Sequence, residues 1–236
     1  MKIYVLSLAS DTERRARLVA QLRALGLDFE IFNAVDGRNG LPEEYYRRVD
    51  FVKAAARLGR RLGNGEAACA ISHALIYEKI LSEGHPHALI LEDDVQVDQN
   101  LLRLLSSEAY TRYDLLLLNH RFSYVWRFSE RPLFGHFKTY RLLLPCWMTA
   151  AYVVSRRGAE YLLQHSRPID HTADWPGDIT EIGARVCVPM LVQHPEETKL
   201  KSNLSCERHK VIDRLRFFKR FYWRRWVRKR LSTRIA

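Results

Sequence analysis

The 236-residue sequence has few cysteines, and its four (Cys69, Cys146, Cys187 and Cys206) are scattered. They form no C-x-x-C pair and no Cys/His clip of zinc spacing, which speaks against a disulfide framework or structural zinc and for a reducing cytoplasm. Long hydrophobic runs are missing as well: no stretch approaches the ~20 apolar residues that span a bilayer. Lys2–Ala9 is short and runs straight into the charged Asp11–Arg15, so no signal peptide is expected. There is no G-x-S-x-G elbow for a serine hydrolase, and Gly63-Asn-Gly65 lacks the third glycine of a dinucleotide-binding fingerprint. Repeats and low-complexity segments are absent too.

What is present is an ordinary globular balance, 47% hydrophobic and 28% charged, which excludes a mainly disordered chain. The formal net charge of +11 is unevenly placed. Residues 207–236 carry 12 Lys/Arg against Glu207 and Asp213, which leaves residues 1–206 near neutrality. One domain over 1–206 with a basic appendage over 207–236 is the simplest organisation.

Strands are expected at Lys2–Leu8, Asp28–Asn33, His87–Leu91, Tyr113–Leu118, Thr149–Ser155 and Arg185–Gln193. A helix is expected from a Ser10-Asp-Thr-Glu13 capping box to Leu25, closed by Gly26. Further helices are expected over Pro42–Leu58, from Asn64 or Gly65 to Ser82, near Leu101–Ser107, and over Arg156–His165. Residues 120–147, rich in aromatics and arginine without a clear period, read as a long loop or irregular hairpin region. Alternating strands and helices indicate an α/β fold, with a mostly parallel central sheet flanked by helices.

Ala88-Leu-Ile-Leu-Glu-Asp-Asp-Val95 sets three adjacent carboxylates at the end of an apolar strand, where they repel one another and are costly to bury unpaired. A divalent cation would offset that cost, and oxygen ligands suit Mg²⁺ or Mn²⁺ shared with a substrate phosphate. On extended backbone Glu92 and Asp94 share a side while Asp93 faces away. A solvated acidic loop with a helix-capping Asp is the alternative. In Gly63-Asn-Gly-Glu-Ala-Ala-Cys-Ala-Ile-Ser-His73, Glu66 and His73 lie on one helical face behind a Gly-rich turn that offers N–H groups to an anion. Taken alone, His73 is more simply a core histidine satisfied by a neighbour. Asp36, in Asn33-Ala-Val-Asp-Gly37, suits a turn. In Pro168-Ile-Asp-His-Thr-Ala-Asp-Trp-Pro-Gly-Asp178, either Asp170 or Asp174 could act as a general base, and Asp174 before Trp175-Pro176 also suits a helix N-cap.

In this order the segments resemble the family 25 glycosyltransferases, bacterial lipopolysaccharide and lipooligosaccharide galactosyltransferases. The resemblance is carried by Ile3–Leu8 with Glu13-Arg-Arg15, Asn33–Gly37, Leu62–His73, Ala88–Val95, Thr149–Ser155 and Ala173-Asp-Trp175, and it covers roughly residues 2–205. It implies a GT-A-like fold and transfer of a hexose, typically galactose from UDP-galactose, to a lipid-linked acceptor with inversion at the anomeric carbon. It also implies Mn²⁺ (or Mg²⁺) held against the diphosphate, with Asp94, Glu92 and the further candidate His194 as ligands. Asp93, Asp36, Glu66, Ser72 and His73 fall to the donor pocket or its support. Aligning the family's Asp-Trp places the base at Asp174, with Asp170 in reserve. Region 120–147 suits acceptor recognition, or is an ordinary surface loop.

Within Lys210–Leu231, Val211, Leu215, Phe218, Tyr222 and Trp226 fall on one helical stripe, opposite Arg216, Arg220, Arg224 and Arg228. Such a basic amphipathic C-terminal helix suits the inner face of the cell membrane, where a lipid-linked acceptor would lie. Packing on the body or on a second subunit, and nucleic-acid binding, are the competing readings. The rival to a transferase is a non-catalytic protein that binds anionic lipid or nucleic acid.

Overall fold

A computed structural model describes residues 1–194 and 228–235. In chain order the first elements are β1 (Lys2–Ser7), α1 (Thr12–Ala24), β2 (Glu30–Asn33), α2 (Glu43–Tyr46), α3 (Phe51–Leu58), α4 (Asn64–Ser82) and β3 (His87–Glu92). There follow α5 (Gln99–Ser107), β4 (Leu115–Leu117), β5 (Ser123–Val125), β6 (Arg131–Phe134) and β7 (Phe137–Leu144). The last are β8 (Ala151–Ser155), α6 (Arg156–His165), β9 (Arg185–Val188) and β10 (Thr233–Ile235).

The continuous apolar runs of β1, β3, β4 and β8 are buried on both faces, which makes them the middle of the sheet. The strand order is β10-β5-β7-β9-β4-β8-β3-β1-β2, with β6 also paired to β7. β1 runs parallel to β2 and β3, and β4 to β9. The remaining neighbours are antiparallel. The sheet is therefore mixed, not mostly parallel as the alternation of elements suggested. The reason lies in β8, which returns from the 120–147 excursion and not from a crossover helix, and so enters antiparallel between β3 and β4. That excursion is itself sheet: β5, β6 and β7, with shifted registers and a 3-10 turn at Arg127–Ser129.

Alternate residues of the central strands supply two cores. Tyr4, Leu6, Ile90 and Tyr152 pack with Ile71, Ile76 and Tyr77 of α4 and Leu162 of α6. Ile3, Val5, Leu89 and Val153 pack with Leu18 and Leu22 of α1 and Leu101 and Leu104 of α5. The capping box expected at Ser10 is not formed: α1 starts behind Asp11, which makes no side-chain cap bond, and Ser10 Oγ accepts Arg38 Nη2 at 2.7 Å instead. The expected Pro42–Leu58 helix divides in two, and Asp50 caps the second part by accepting from the Lys53 N–H at 2.8 Å.

Residues 228–231 are helical, and β10 pairs with β5, so the far end of the basic segment is part of the sheet. Arg228 Nη1 meets Asp178 Oδ2 at 3.0 Å. Cys206 and the stripe Val211, Leu215, Phe218, Tyr222 and Trp226 lie outside the described residues. Among the described residues no helix is long and apolar enough to cross a membrane.

Candidate active site

Parallel pairing of β1 with β3 brings Ser7 and Glu92 to one rim, the carboxyl ends of adjacent strands, where open α/β sheets bind ligands. β3 ends at Glu92, and Asp93 and Asp94 lie in a turn. Strand alternation stops there, so the shared side that extended backbone gives Glu92 and Asp94 no longer follows from the strand. Asp93 is buried, accepts from Ser7 Oγ at 2.8 Å and lies 2.7 Å from Arg14 Nε. The same guanidinium, through Nη2, pairs with Asp94 Oδ2. The two carboxyls are driven in opposite directions. Burial pushes Asp93 up, against the pull of Arg14 and Ser7. Burial also opposes ionisation of Asp94, but its bond and charge interaction with His194, together with Arg14, outweigh it and hold Asp94 below the ordinary aspartate value.

His194 reaches this rim because the segment before it is pinned. Leu191 and Val192 donate N–H to Leu118 O at 3.0 and 3.2 Å, and Gln193 exchanges backbone bonds with Gln96. Asn119 Nδ2 adds a bond to Val192 O at 2.9 Å. His194 Nε2 then lies 3.2 Å from Asp94 Oδ2, while Asp94 Oδ1 is buried and has no hydrogen-bond partner among the described residues. Among the described residues no three His, Cys, Asp or Glu side chains converge on one point. Of the expected ligands Asp94, Glu92 and His194, the structure sets Asp94 and His194 against each other. An imidazole and a carboxylate with a bare oxygen fit a hard dication whose remaining positions come from phosphate and water.

Glu92 faces a different neighbourhood. Its Oε1 accepts from Thr149 Oγ1 at 3.1 Å and lies 3.5 Å from His73 Nε2. His73 Nδ1 bonds the Tyr152 hydroxyl at 2.8 Å, which bonds Tyr77 at 2.9 Å, forming a buried polar chain between α4 and β8. Asp174 Oδ1 accepts from the Met148 N–H at 2.9 Å. Both Met148 (φ 82°) and Trp175 (φ 138°) hold backbone conformations that L-residues rarely adopt, the kind of strain that gathers at functional sites. Burial drives the Cys69 thiol well up, and the charges of Glu92, Asp174 and Asp94 add to the rise.

The other candidates are tied into the fold. Asp170 is buried between Lys53 Nζ and Arg57 Nη1, each at 2.6 Å. Burial opposes its ionisation, yet the two cations hold its carboxyl below the ordinary value, which makes it a poor proton acceptor. Glu66 is clasped by Arg60 at 2.6 Å and accepts from the Gly63 N–H at 3.2 Å, closing the start of α4. Ser72 Oγ accepts from the Val35 N–H at 2.8 Å and donates to Ala68 O at 2.7 Å, fastening the loop after β2 to α4. Asp36 binds Arg38, which reaches on to Asp11 at 3.3 Å, so this loop stays against the start of α1. Sequence reasoning missed Arg14, Ser7, Thr149 and Asn119. The available signal was position: each stands at or just beyond a strand end on the rim of the triplet, or within the first turn of the helix that follows.

Residues 1–176 match glycosyltransferase family 25 (LPS biosynthesis protein). The chain is 29% identical over 174 residues to the lacto-N-neotetraose biosynthesis glycosyltransferase LgtE of Neisseria meningitidis serogroup B, covering 70% of this chain and 60% of LgtE. It is 27% identical over 230 residues to the lipooligosaccharide biosynthesis protein lic2B of Haemophilus influenzae, covering 89% of this chain and 84% of that one. The solved structure of A197 from STIV is similar at a TM-score of 0.39, with 12% identity over 78% of this chain and 80% of that one.

Proposed function

The chain belongs to glycosyltransferase family 25, and on that premise we propose that it transfers a hexose, galactose from UDP-galactose foremost, to a lipid-linked lipopolysaccharide or lipooligosaccharide acceptor. The observation that carries this reading is the Asp94–His194 pair at the carboxyl ends of β1 and β3, with one carboxylate oxygen buried and, among the described residues, unpartnered. Asp94 and His194 would hold Mn²⁺ or Mg²⁺. The ion would supply charge neutralisation at the diphosphate as UDP leaves.

The chain's own groups do the rest. Asp174, held by the Met148 N–H beside the strained Trp175, takes the proton of the acceptor hydroxyl as it attacks the anomeric carbon in a single inverting displacement. Arg14 balances Asp93 and Asp94 while the anionic donor binds. Asp93, enclosed by Ser7 and Arg14, positions that guanidinium. Glu92, Cys69 and His73 line or support the donor side. The basic segment 207–236 keeps the protein on the cytoplasmic face of the membrane, beside its acceptor.

Calorimetric titration of UDP with Mn²⁺ or with EDTA tests the donor site. Binding is expected in wild type only with the metal, and is expected to weaken at least about tenfold in Asp94→Ala and in His194→Ala. Equal binding in EDTA, or in both variants, overturns the assignment.

A further inference from the structure

β5 and β10 close one end of the sheet. In β5 the buried Ser123 and Val125 stand on either side of the half-buried Tyr124, with half-buried Phe122 just before the strand and exposed Trp126 just after it. Four of the eight exposed large hydrophobic side chains of the described residues gather here: Trp126 (44% exposed), Phe128 (72%), Trp147 (54%) and Leu231 (65%). Trp147 meets Phe122 edge-on at 5.7 Å, which joins it to the strip beside β5. Leu231 lies two residues before Thr233, which pairs with Val125.

Cations sit over these rings. The guanidiniums of Arg121 and Arg234 lie 5.1 and 5.0 Å from the Phe122 ring. Lys229 Nζ lies 5.6 Å from the Tyr124 ring, and the Arg127 guanidinium 4.5 Å from Phe128. The acid within this stretch, Glu130, is held by Lys138 at 2.6 Å. The strip is thus apolar and positive at once. Exposed aromatics of this size mark a contact surface, and rings beneath cations match the boundary between acyl chains and anionic headgroups. The strip is also continuous in the chain with residues 207–227, which hold eight further Lys/Arg against two acids and enter this edge at Arg228.

We propose that this edge, centred on Trp126 and Phe128 with Trp147 and Leu231, is a contact surface for an anionic lipid bilayer. The inference rests on the membrane reading of segment 207–236 and adds to it that the folded body inserts aromatic side chains of its own. The bilayer is held at two places, which orients the body as well as retaining it.

The full-length chain is tested by sedimentation with phosphatidylcholine vesicles, with and without phosphatidylglycerol, beside Trp126→Ala/Phe128→Ala. Both side chains are exposed, so the variant's melting temperature serves as the folding control. Wild type is expected to bind the anionic vesicles, and the double variant to bind about tenfold more weakly. Quenching of tryptophan fluorescence by brominated lipid is expected in wild type and reduced in Trp126→Phe. Equal binding by wild type and double variant overturns the inference and leaves segment 207–227 as the anchor. No binding by wild type overturns the inference and the membrane reading together. Slower transfer to a soluble acceptor with unchanged vesicle binding overturns it in favour of a saccharide platform.

Discussion

Arg14 lies between two adjacent carboxylates and is asked to satisfy both, through Nε to Asp93 and Nη2 to Asp94. Asp94 has His194 as a second partner, whereas among the described residues Asp93 has Ser7 besides Arg14. Removing the guanidinium therefore falls hardest on Asp93, whose carboxyl burial already pushes up. Arg14→Gln is expected to lower stability by about 2 kcal/mol, below the roughly 3–5 kcal/mol for breaking a fully buried pair, because Arg14 is itself partly exposed. Urea denaturation at neutral pH measures it. Adding Asp93→Asn should recover part of the loss, since the group left unpaired is then neutral. A double variant no more stable than Arg14→Gln alone would show that Asp93 is not the source of the cost.

At the scale of elements, the loop after β2 shows how sequence and packing divide the work. Asn33-Ala-Val-Asp-Gly37 reads as a turn, and Asp36 does accept from the Arg38 N–H at 3.0 Å. Gly37 has a different reason to be glycine. A Cβ there would come 2.4 Å from Asn64 O and 2.9 Å from the Ala68 side chain, so the loop backbone lies directly on the first turns of α4. Gly37→Ala should force loop and helix apart. The expected outcome is a loss of about 2 kcal/mol or more, in the range for overpacking, read as a lowered thermal midpoint. Because Ser72 on the same helix holds Val35, weakened UDP binding should accompany it if this loop borders the donor. The same helix carries His73 and, near its start, Glu66. A shift of α4 would therefore disturb the Tyr77–Tyr152–His73 chain and the neighbourhood of Glu92 together.

The whole molecule couples its stability to pH through histidines enclosed on folding. Burial pushes His171 down to about 4, with its Nδ1 donating to Thr172 O at 2.6 Å, and burial lowers His87 and His120 as well. These groups stay neutral in the folded chain while the unfolded chain protonates them near 6.5. Their contribution is full above about pH 6.5 and declines as pH falls toward the folded values, by about 3 kcal/mol for His171 between pH 6.5 and 4. Denaturant unfolding at several pH values checks this, and His171→Gln should flatten the profile; an unchanged slope would assign it elsewhere. Much of the fold was legible in one dimension. The apolar runs of β1, β3 and β8, the α4 and α6 helices, and the acids closing β3 follow from local pattern, because burial on both faces demands unbroken hydrophobicity and an element's length follows its pattern. The direction of β8 was not legible, since the region 120–147 has no period from which its path could be read. Nor were all the partners around the triplet: Arg14 and Ser7 come from the β1–α1 junction, far from it in the chain, whereas His194, from the segment after β9, was named only through the family resemblance. Pattern along the chain specifies which charges and apolar faces the protein has. Tertiary structure alone decided which of them meet, because partner choice at a buried carboxylate depends on distances set by strand order and not on proximity along the chain.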